Sequence, residues 1–210
     1  MLTEYHKIET LFNRDPLTKK LIEGSFRNET IEYLKDNIWE FTEKVDGTNI
    51  RIYWNGHKVT FYGRTNNAQI PSELTNRLIE LFGGETNEEL FEQKFGNKEV
   101  ILFGEGYGAK IQNGRNYKDT QDFILFDVKI NDNYQPRKAV NEIAKFFNTE
   151  SVPIVFEGTI KDGINYVKTE PTSLISSKAN MEGLVGRPKV ELRDRNKDRV
   201  IVKIKVNDFK

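Results

Sequence analysis

Lys44 is the residue whose surroundings most clearly suggest chemistry, because it lies in the segment EKVDGTN (43–49). A carboxylate, Asp46, follows two residues later, and a Gly-Thr-Asn turn comes directly after it. A protonated lysine is a poor nucleophile, but burial or nearby cations lower its pKa and make covalent catalysis feasible. The competing interpretation is an exposed lysine in a glycine turn, since short motifs of this kind also occur by accident.

Two further lysines could hold an anion. Lys203 and Lys205 lie in VIVKIKV (200–206), where their spacing puts both side chains on one face of a strand. Two ammonium groups on one face repel each other unless an anion such as a triphosphate lies between them, and they lower the pKa of a neighbouring lysine. Lysines that keep an edge strand from aggregating are the alternative interpretation.

Four more side chains lie next to apolar strands and could contact a nucleotide or a metal. Arg64 in FYGRT could clamp phosphate, and Glu105 among the glycines of FGEGYG could accept hydrogen bonds from a ribose. Phe126 in FILFDV could stack on a base, and Glu182 in MEGLVGRP could hold a hydrated Mg²⁺. Each of these side chains also fits a purely structural role, in a surface turn or a core strand. The glycine spacing is not that of a dinucleotide-binding fold.

Composition excludes several classes of protein. The 210 residues contain no cysteine, so disulfides and thiolate metal sites are excluded, and the aromatic content argues against disorder. No apolar run is long enough to cross a membrane, and no secretory signal is expected at the N-terminus. The formal net charge is zero, but residues 187–210 carry nine Lys/Arg against four Asp/Glu, which is compatible with phosphate contact. On charge alone, a solvated strand face is the favoured explanation of that segment.

The elements that must position these side chains are strands joined by hairpins, with helices inserted between them. Hydrophobic periodicity, with the Asn-Gly turn at 55–56, predicts strands at 38–44, 48–54, 58–62, 99–104, 123–130, 152–160, 183–186, 190–193 and 200–206. It predicts helices at 71–82, 87–95 and 136–147, and one or two short helices within 16–36. The pattern indicates an α+β fold of mainly antiparallel sheets flanked by helices, forming a single domain over residues 1–210.

Taken in order, these motifs resemble those of the covalent nucleotidyltransferase superfamily of DNA ligases, RNA ligases and capping guanylyltransferases. Within it, the sequence is most similar to the phage RNA ligase 2 family, which includes the kinetoplastid RNA-editing ligases. The resembling segments are EKVDGTN (43–49), VTFYGRT (59–65), LFGEGYGAKIQN (102–113), DFILFDV (122–128), MEGLVGRP (181–188) and VIVKIKVN (200–207). The resemblance implies an ATP-grasp-like nucleotidyltransferase ligase core.

The resemblance also implies catalytic roles. Lys44 is expected to be the nucleophile that becomes adenylated, and Lys203 and Lys205 are expected to grip the α-phosphate and orient the leaving pyrophosphate. Glu182 is expected to help hold a metal, through water. Asp46 stands where this branch often has a histidine and other branches have an acid, so either a metal-bound water or a ribose is its expected contact.

The remaining implied roles concern the nucleotide. The backbone near Glu43 is expected to read adenine, and Asn49 is expected to orient phosphate or metal waters. Arg64 would contact the nucleotide, Glu105 would bind the ribose hydroxyls, and Phe126 would stack on adenine.

The implied activity is that of an ATP-dependent RNA ligase using Mg²⁺ or Mn²⁺, of the kind found in RNA repair. AMP passes from ATP to Lys44, then to an RNA 5′-phosphate, and a 3′-hydroxyl finally attacks that activated phosphate. The chain stops shortly after its last motif, so no appended C-terminal domain is expected, and the implied partners are RNA and an accessory protein or domain. A cytoplasmic location is expected, with a phage-encoded origin as one alternative. The alternatives are a DNA ligase or capping enzyme of the same superfamily, or a non-catalytic nucleic-acid-binding module.

Overall fold

The computed structural model describes residues 2–113 and 116–210. Its helices are α1 (Glu29–Tyr33), α2 (Ser72–Phe82), α3 (Glu85–Phe95), α4 (Arg137–Phe146) and α5 (Ile160–Lys168), followed by a 3-10 helix at Val206–Phe209. Its strands are β1 (Phe12–Arg14), β2 (Leu21–Phe26), β3 (Trp39–Lys44), β4 (Thr48–Trp54), β5 (Val59–Tyr62), β6 (Val100–Tyr107), β7 (Asp122–Ile130), β8 (Asn133–Tyr134), β9 (Glu150–Ser151), β10 (Ile154–Gly158), β11 (Gly183–Pro188) and β12 (Val202–Lys205). The expected α+β class is confirmed.

The chain forms two compact units. The first contains Asp46–Val152 and the N-terminal residues up to Tyr5, and the second contains His6–Val45 and Pro153–Lys210. The chain therefore passes from the second unit into the first between Val45 and Asp46, within the EKVDGTN segment.

The first unit is built on a sheet in the order β5-β4-β6-β7-β8, and β9 also pairs with β7. All of these pairings are antiparallel except that of β7 with β9. Leu74, Leu78 and Phe82 on α2 are fully buried and pack into the same core as Ile50 and Ile52 of β4. Their i, i+4, i+8 spacing produces one apolar helix face, which is why the sequence predicted this helix correctly.

The second unit contains a four-stranded antiparallel sheet in the order β10-β3-β11-β12 and a small β1-β2 hairpin. Trp39 and Phe41 on β3 are fully buried and share a core with Leu184 on β11 and Val202 on β12. The Trp39 indole donates a hydrogen bond of 2.9 Å to the carbonyl of Leu34, which satisfies its buried N–H.

Three sequence predictions were wrong in detail. The prediction of short helices within 16–36 holds for α1, but Leu21–Phe26 is a strand whose Phe26 faces Phe12 across the hairpin. The predicted strand at 152–160 is shorter, and helix α5 follows it, begun by a capping box between Thr159 and Asp162. The predicted strand at 190–193 retains only one isolated bridge, between Arg193 and Arg199.

No helix within residues 2–113 or 116–210 combines the length and the apolar character needed to span a bilayer.

Candidate functional site

A carboxylate lies between two of the lysines that the sequence singled out. Glu182 Oε2 is 2.5 Å from the Nζ of Lys44, and Glu182 Oε1 is 2.7 Å from the Nζ of Lys205. The Glu182 side chain is 14% exposed, while those of Lys44 and Lys205 are 25% and 33% exposed, so the cluster is accessible from solvent. The second unit therefore brings three of the predicted site residues into direct contact.

Sheet register explains why these side chains meet. Gly183 is the first residue of β11 and pairs with Lys44 on β3 at one side and with Lys205 on β12 at the other. Glu182 directly precedes it. A Cβ on Gly183 would lie 2.2 Å from the carbonyl oxygen of Ile204, so only glycine permits this close approach of the strands.

Lys203 adds a third positive charge to the same face of β12. Burial lowers its pKa from the ordinary lysine value, the ammonium groups of Lys44 and Lys205 lower it further, and the carboxylate of Glu9 raises it. The predicted alternation is confirmed, because Val202 and Ile204 are buried while both lysines are half-buried. The three lysines outnumber the two acids, Glu182 and Glu9, and the resulting net positive charge suits a polyanionic ligand.

Glu43 anchors a loop of the second unit. Its carboxylate is buried and accepts hydrogen bonds from the Ser173 hydroxyl at 2.5 Å and from the Leu174 backbone N–H at 2.8 Å. Burial raises the pKa of Glu43, and the two hydrogen bonds partly oppose that shift. Sequence reasoning missed Ser173, because residues 172–177 showed no clear periodicity and nothing in the local pattern links them to residue 43.

In the first unit, Asn49 and Glu105 are cross-strand partners on β4 and β6. Among the described residues, no hydrogen-bond partner reaches the buried Oδ1 of Asn49. A buried polar atom without a partner is costly unless a ligand or water satisfies it. Gly47 packs beside this pair, and a Cβ there would lie 2.3 Å from the carbonyl oxygen of Gly106, which explains the glycine of the motif.

Asp46 contacts the segment that follows β6. Its Oδ2 accepts a hydrogen bond of 2.8 Å from the amide of Asn113, and this contact is exposed to solvent. Lys110 and Gln112 on the same segment have φ angles of 63° and 47°, in the left-handed region that non-glycine residues rarely adopt. Such conformations persist where the surrounding structure imposes them, and they concentrate at functional sites.

Phe126 lies at an irregularity in β7. Phe103 pairs with Asp127 and Gly104 with Leu125, so Phe126 is the extra residue of a β-bulge. Its half-buried ring meets Tyr5 edge-on, with centroids 5.0 Å apart, and the Tyr5 hydroxyl donates to the buried Asp127 at 2.8 Å. The bulge and Tyr5 together fix the direction of the Phe126 ring.

Arg64 is exposed and lies in the loop after β5, which Arg51 holds in place. Arg51 is fully buried, although it alternates with the apolar residues Ile50 and Ile52 along β4. It donates to the Gly63 carbonyl and to Asn66 Oδ1, both at 3.0 Å, and thereby fastens the chain on either side of Arg64. Alternation alone could not reveal this role, because a guanidinium can be buried when several acceptors surround it.

The ten predicted site residues divide equally between the two units. The second unit holds Glu43, Lys44, Glu182, Lys203 and Lys205, and the first holds Asp46, Asn49, Arg64, Glu105 and Phe126. Within the described part of the chain, no group of three or more His, Cys, Asp or Glu side chains could hold a metal ion. The roles assigned to the ten residues remain predictions.

The sequence match defines the class of protein. Residues 37–205 match the RNA ligase family model. This range covers most of the chain and contains all ten predicted site residues. The chain therefore belongs to the RNA ligase family. No curated protein sequence matches it at a significant level.

Solved structures share its fold. An apo variant of RNA ligase from Naegleria gruberi aligns with 99% of this chain at a TM-score of 0.69 and 20% identity. Two variants of that ligase, one with AMP and Mn and one with ATP and Mn, align with the same coverage, TM-score and identity. This chain covers 56% of the apo variant and 57% of the other two, so it spans a little over half of the ligase that it resembles.

Proposed function

We propose that this protein is an ATP-dependent RNA ligase that forms a covalent lysyl-AMP intermediate on Lys44. The observation that carries the proposal is the cluster in which Glu182 contacts both Lys44 and Lys205 at 2.5 and 2.7 Å. Adenylyl transfer from a triphosphate requires a nucleophilic lysine, a carboxylate and further cations close together. Membership of the RNA ligase family supports RNA as the acceptor.

In the first step, deprotonated Lys44 attacks the α-phosphorus of ATP. A P–N bond forms between Nζ and phosphorus, the P–O bond to the leaving group breaks, and pyrophosphate departs with the electron pair. Nζ releases one proton to solvent. Lys203 and Lys205 neutralise charge on the phosphates as it shifts during this transfer. Such a reaction depends mainly on positioning and charge neutralisation, which a fixed pair of cations on one strand supplies.

In the next two steps AMP moves to RNA and is then released. An RNA 5′-phosphate oxygen attacks the phosphorus of lysyl-AMP, and Lys44 leaves as an amine that takes up a proton. A 3′-hydroxyl then attacks the activated 5′-phosphate, a phosphodiester bond forms, and AMP leaves. The resting contact with Glu182 explains how Lys44 is held in place between turnovers.

Glu182 and Asp46 are the residues proposed to hold a divalent metal, through water molecules. A bound Mg²⁺ or Mn²⁺ would supply charge neutralisation at the phosphates. A carboxylate such as that of Glu182 suits a hydrated ion, because Mg²⁺ usually keeps several waters and needs only one or two carboxylates. Glu182 makes short contacts with two ammonium groups in the structure, so a metal-bound water would compete with Lys44 and Lys205 for its oxygens.

The nucleoside is proposed to be bound by residues of the first unit. Phe126 would stack on adenine, Glu105 would accept hydrogen bonds from the ribose, and Arg64 would contact phosphate. The half-buried, bulge-mounted ring of Phe126 supports the stacking role, and the unsatisfied Oδ1 of Asn49 supports a polar ligand beside Glu105. Naegleria gruberi RNA ligase has been solved with ATP and Mn, which supports the same ligands here.

The decisive experiment is intact-protein mass spectrometry after incubation with ATP and Mg²⁺. The wild type is expected to gain the mass of one AMP, and Lys44→Ala is expected to gain nothing. Lys58→Ala, which removes an exposed lysine from the β4–β5 hairpin, serves as the matched control and should be adenylated normally. An adduct that survives in Lys44→Ala would refute the assignment. No wild-type adduct with ATP or GTP, Mg²⁺ or Mn²⁺, after pre-bound AMP is excluded, would favour a non-catalytic module.

A further inference from the structure

We propose that a groove on the second unit binds a short single-stranded segment of RNA, an inference that rests on the proposed ligase function. The groove has a volume of about 850 Å³ and lies between α1 and the turn that joins β11 to β12. Its walls include Arg27, Asn28 and Tyr33 on one side and Arg195 and Asn196 on the other. We call it the α1 groove.

Tyr33 provides a stacking platform in this groove. Tyr33 is 86% exposed, whereas Ile31 on the same short helix is only 3% exposed and anchors α1 to the core. A large aromatic ring held in solvent by an anchored helix contributes little to folding. It does offer a flat apolar face on which any nucleobase can stack.

Two arginines suit the phosphate backbone. Arg27 is held through its Nε by the carboxylate of Glu9 at 2.8 Å, and 44% of its side chain remains exposed. Arg195 is exposed at the opposite wall, on the basic C-terminal segment that the sequence already distinguished. Guanidinium groups bind phosphate oxygens with a planar fork of donors, so a pair on facing walls can track a phosphodiester chain.

The acidic residues of the α1 groove do not prevent binding of the phosphate backbone. Asp194 Oδ1 accepts the backbone N–H groups of Asn196 at 2.8 Å and Asp198 at 3.0 Å, so its carboxylate maintains the turn that presents Arg195. Glu29 is exposed at the groove and is available to accept a hydrogen bond from a ribose 2′-hydroxyl. That contact would favour RNA over DNA, because only RNA carries the 2′-hydroxyl.

The size of the groove points to a few unpaired nucleotides. Its volume lies within the range of roughly 300–1,000 Å³ that is typical of sites for single ligands. A duplex would not enter such a space, and stacking on Tyr33 requires an unpaired base. The groove therefore fits a single-stranded stretch of the substrate.

The proposal is tested on the full chain with a fluorescently labelled single-stranded RNA of about 12 nucleotides. Fluorescence anisotropy measures its affinity for the protein in the absence of ATP. Tyr33→Ser and Arg195→Gln should each weaken binding by roughly fivefold or more, while Tyr33→Phe should bind like the wild type. Arg195→Gln should also reduce the salt dependence of binding, because one phosphate contact is lost. The matched control is Lys197→Gln, which removes a charge from the same turn but does not line the groove.

Several outcomes would overturn the proposal. The first is that the wild type shows no detectable RNA binding, and the second is that Tyr33→Ser and Arg195→Gln bind RNA like the wild type. The third is that Lys197→Gln loses as much affinity as Arg195→Gln, which would mean that net charge alone explains the loss. A dimer seen by sedimentation and abolished by Tyr33→Ser would assign the groove to a second copy of the chain. Intact mass after ATP treatment, measured in parallel, keeps the two proposals separate. If adenylation is normal and the groove variants bind RNA like the wild type, only the groove proposal fails. If adenylation is absent but RNA binding depends on the groove residues, only the ligase mechanism fails.

Discussion

The ammonium of Lys44 lies 2.5 Å from the carboxylate of Glu182, although 138 residues separate them in the sequence. This contact holds the proposed nucleophile in place until a ligand rearranges the cluster. Glu182 also binds Lys205, so one carboxylate restrains the proposed nucleophile and one of the proposed phosphate ligands together. Loss of this carboxylate should therefore affect both.

Glu182→Gln is expected to reduce self-adenylation by about tenfold to a hundredfold, since groups that support a metal site typically contribute that much. It should also raise the Mg²⁺ concentration needed for half-maximal adduct formation. Glu191→Gln is the matched control, because Glu191 pairs with Arg199 at 2.8 Å on the same β11–β12 connection and has no proposed catalytic role. Adduct formation measured by intact mass against Mg²⁺ concentration tests the prediction. Equal curves for both variants would contradict it.

Lys203→Met is expected to raise the thermal stability of the protein at pH 7. The pKa of Lys203 is lowered in the folded protein, chiefly by burial, so the folded state binds its proton less tightly than the unfolded chain. The destabilisation is fully present below the folded pKa and is lost as pH rises towards the unfolded value of 10.5. The gain should be about 2 °C or less, because solvent screens a partly exposed group.

Thermal unfolding of wild type and Lys203→Met at pH 7 and pH 10 measures this effect, and the difference in Tm should shrink at the higher pH. Lys189→Met is the control with the opposite sign, because its ion pair with Glu157 raises the pKa of Lys189. A difference in Tm that grows with pH in Lys203→Met would disprove the assignment.

Ser173→Ala is expected to lower the free energy of unfolding by about 1–2 kcal/mol at neutral pH, since it leaves a buried carboxylate with one donor fewer. Burial raises the pKa of Glu43 above its ordinary value of 4.5. The charge of Glu43, and with it the need for the Ser173 hydroxyl, is lost as pH falls through the folded pKa. The effect of the substitution should therefore be smaller near pH 4.5 than at pH 7.

Denaturant unfolding at the two pH values provides the measurement. Ser177→Ala, at an exposed position of the same loop, should change the free energy of unfolding by less than about 0.5 kcal/mol. If both serine variants behave alike, the hydrogen bond to Glu43 is not what holds the loop.

Phe126→Ala is expected to raise the KM for ATP in self-adenylation by about tenfold, the cost of losing one base–aromatic stack, with a smaller effect on kcat. Phe146→Ala is the matched control, because that ring is also half-buried in the first unit but lies on α4 and packs against the hydrophobic core. Initial rates over a range of ATP concentrations separate the outcomes. A Phe126→Ala variant that is unfolded by circular dichroism would instead support a purely structural role for this strand residue.

Much of the fold followed from local pattern. Helix α2 was predictable because Pro71 and the spacing of Leu74 and Leu78 act within a few residues of each other. Helix α5 was not, because an apolar run from Val152 to Ile160 resembles one long strand, and only the capping box at Thr159 marks the change. The burial of Arg51 could not be predicted from the sequence either. Its acceptors include the carbonyl of Gly63 and the amide of Asn66, which become neighbours only when β5 folds back on β4.

The sequence by itself determined the α+β class, most strands, the family resemblance and the identity of the candidate residues, because periodicity, turn chemistry and motif order are local properties. It determined that Lys203 and Lys205 share a face, since alternation is intrinsic to a strand. Only the tertiary structure decided that Glu182 lies between Lys44 and Lys205. The reason is that β11 separates β3 from β12 in the sheet, and sheet register across distant segments depends on the packing of the whole unit.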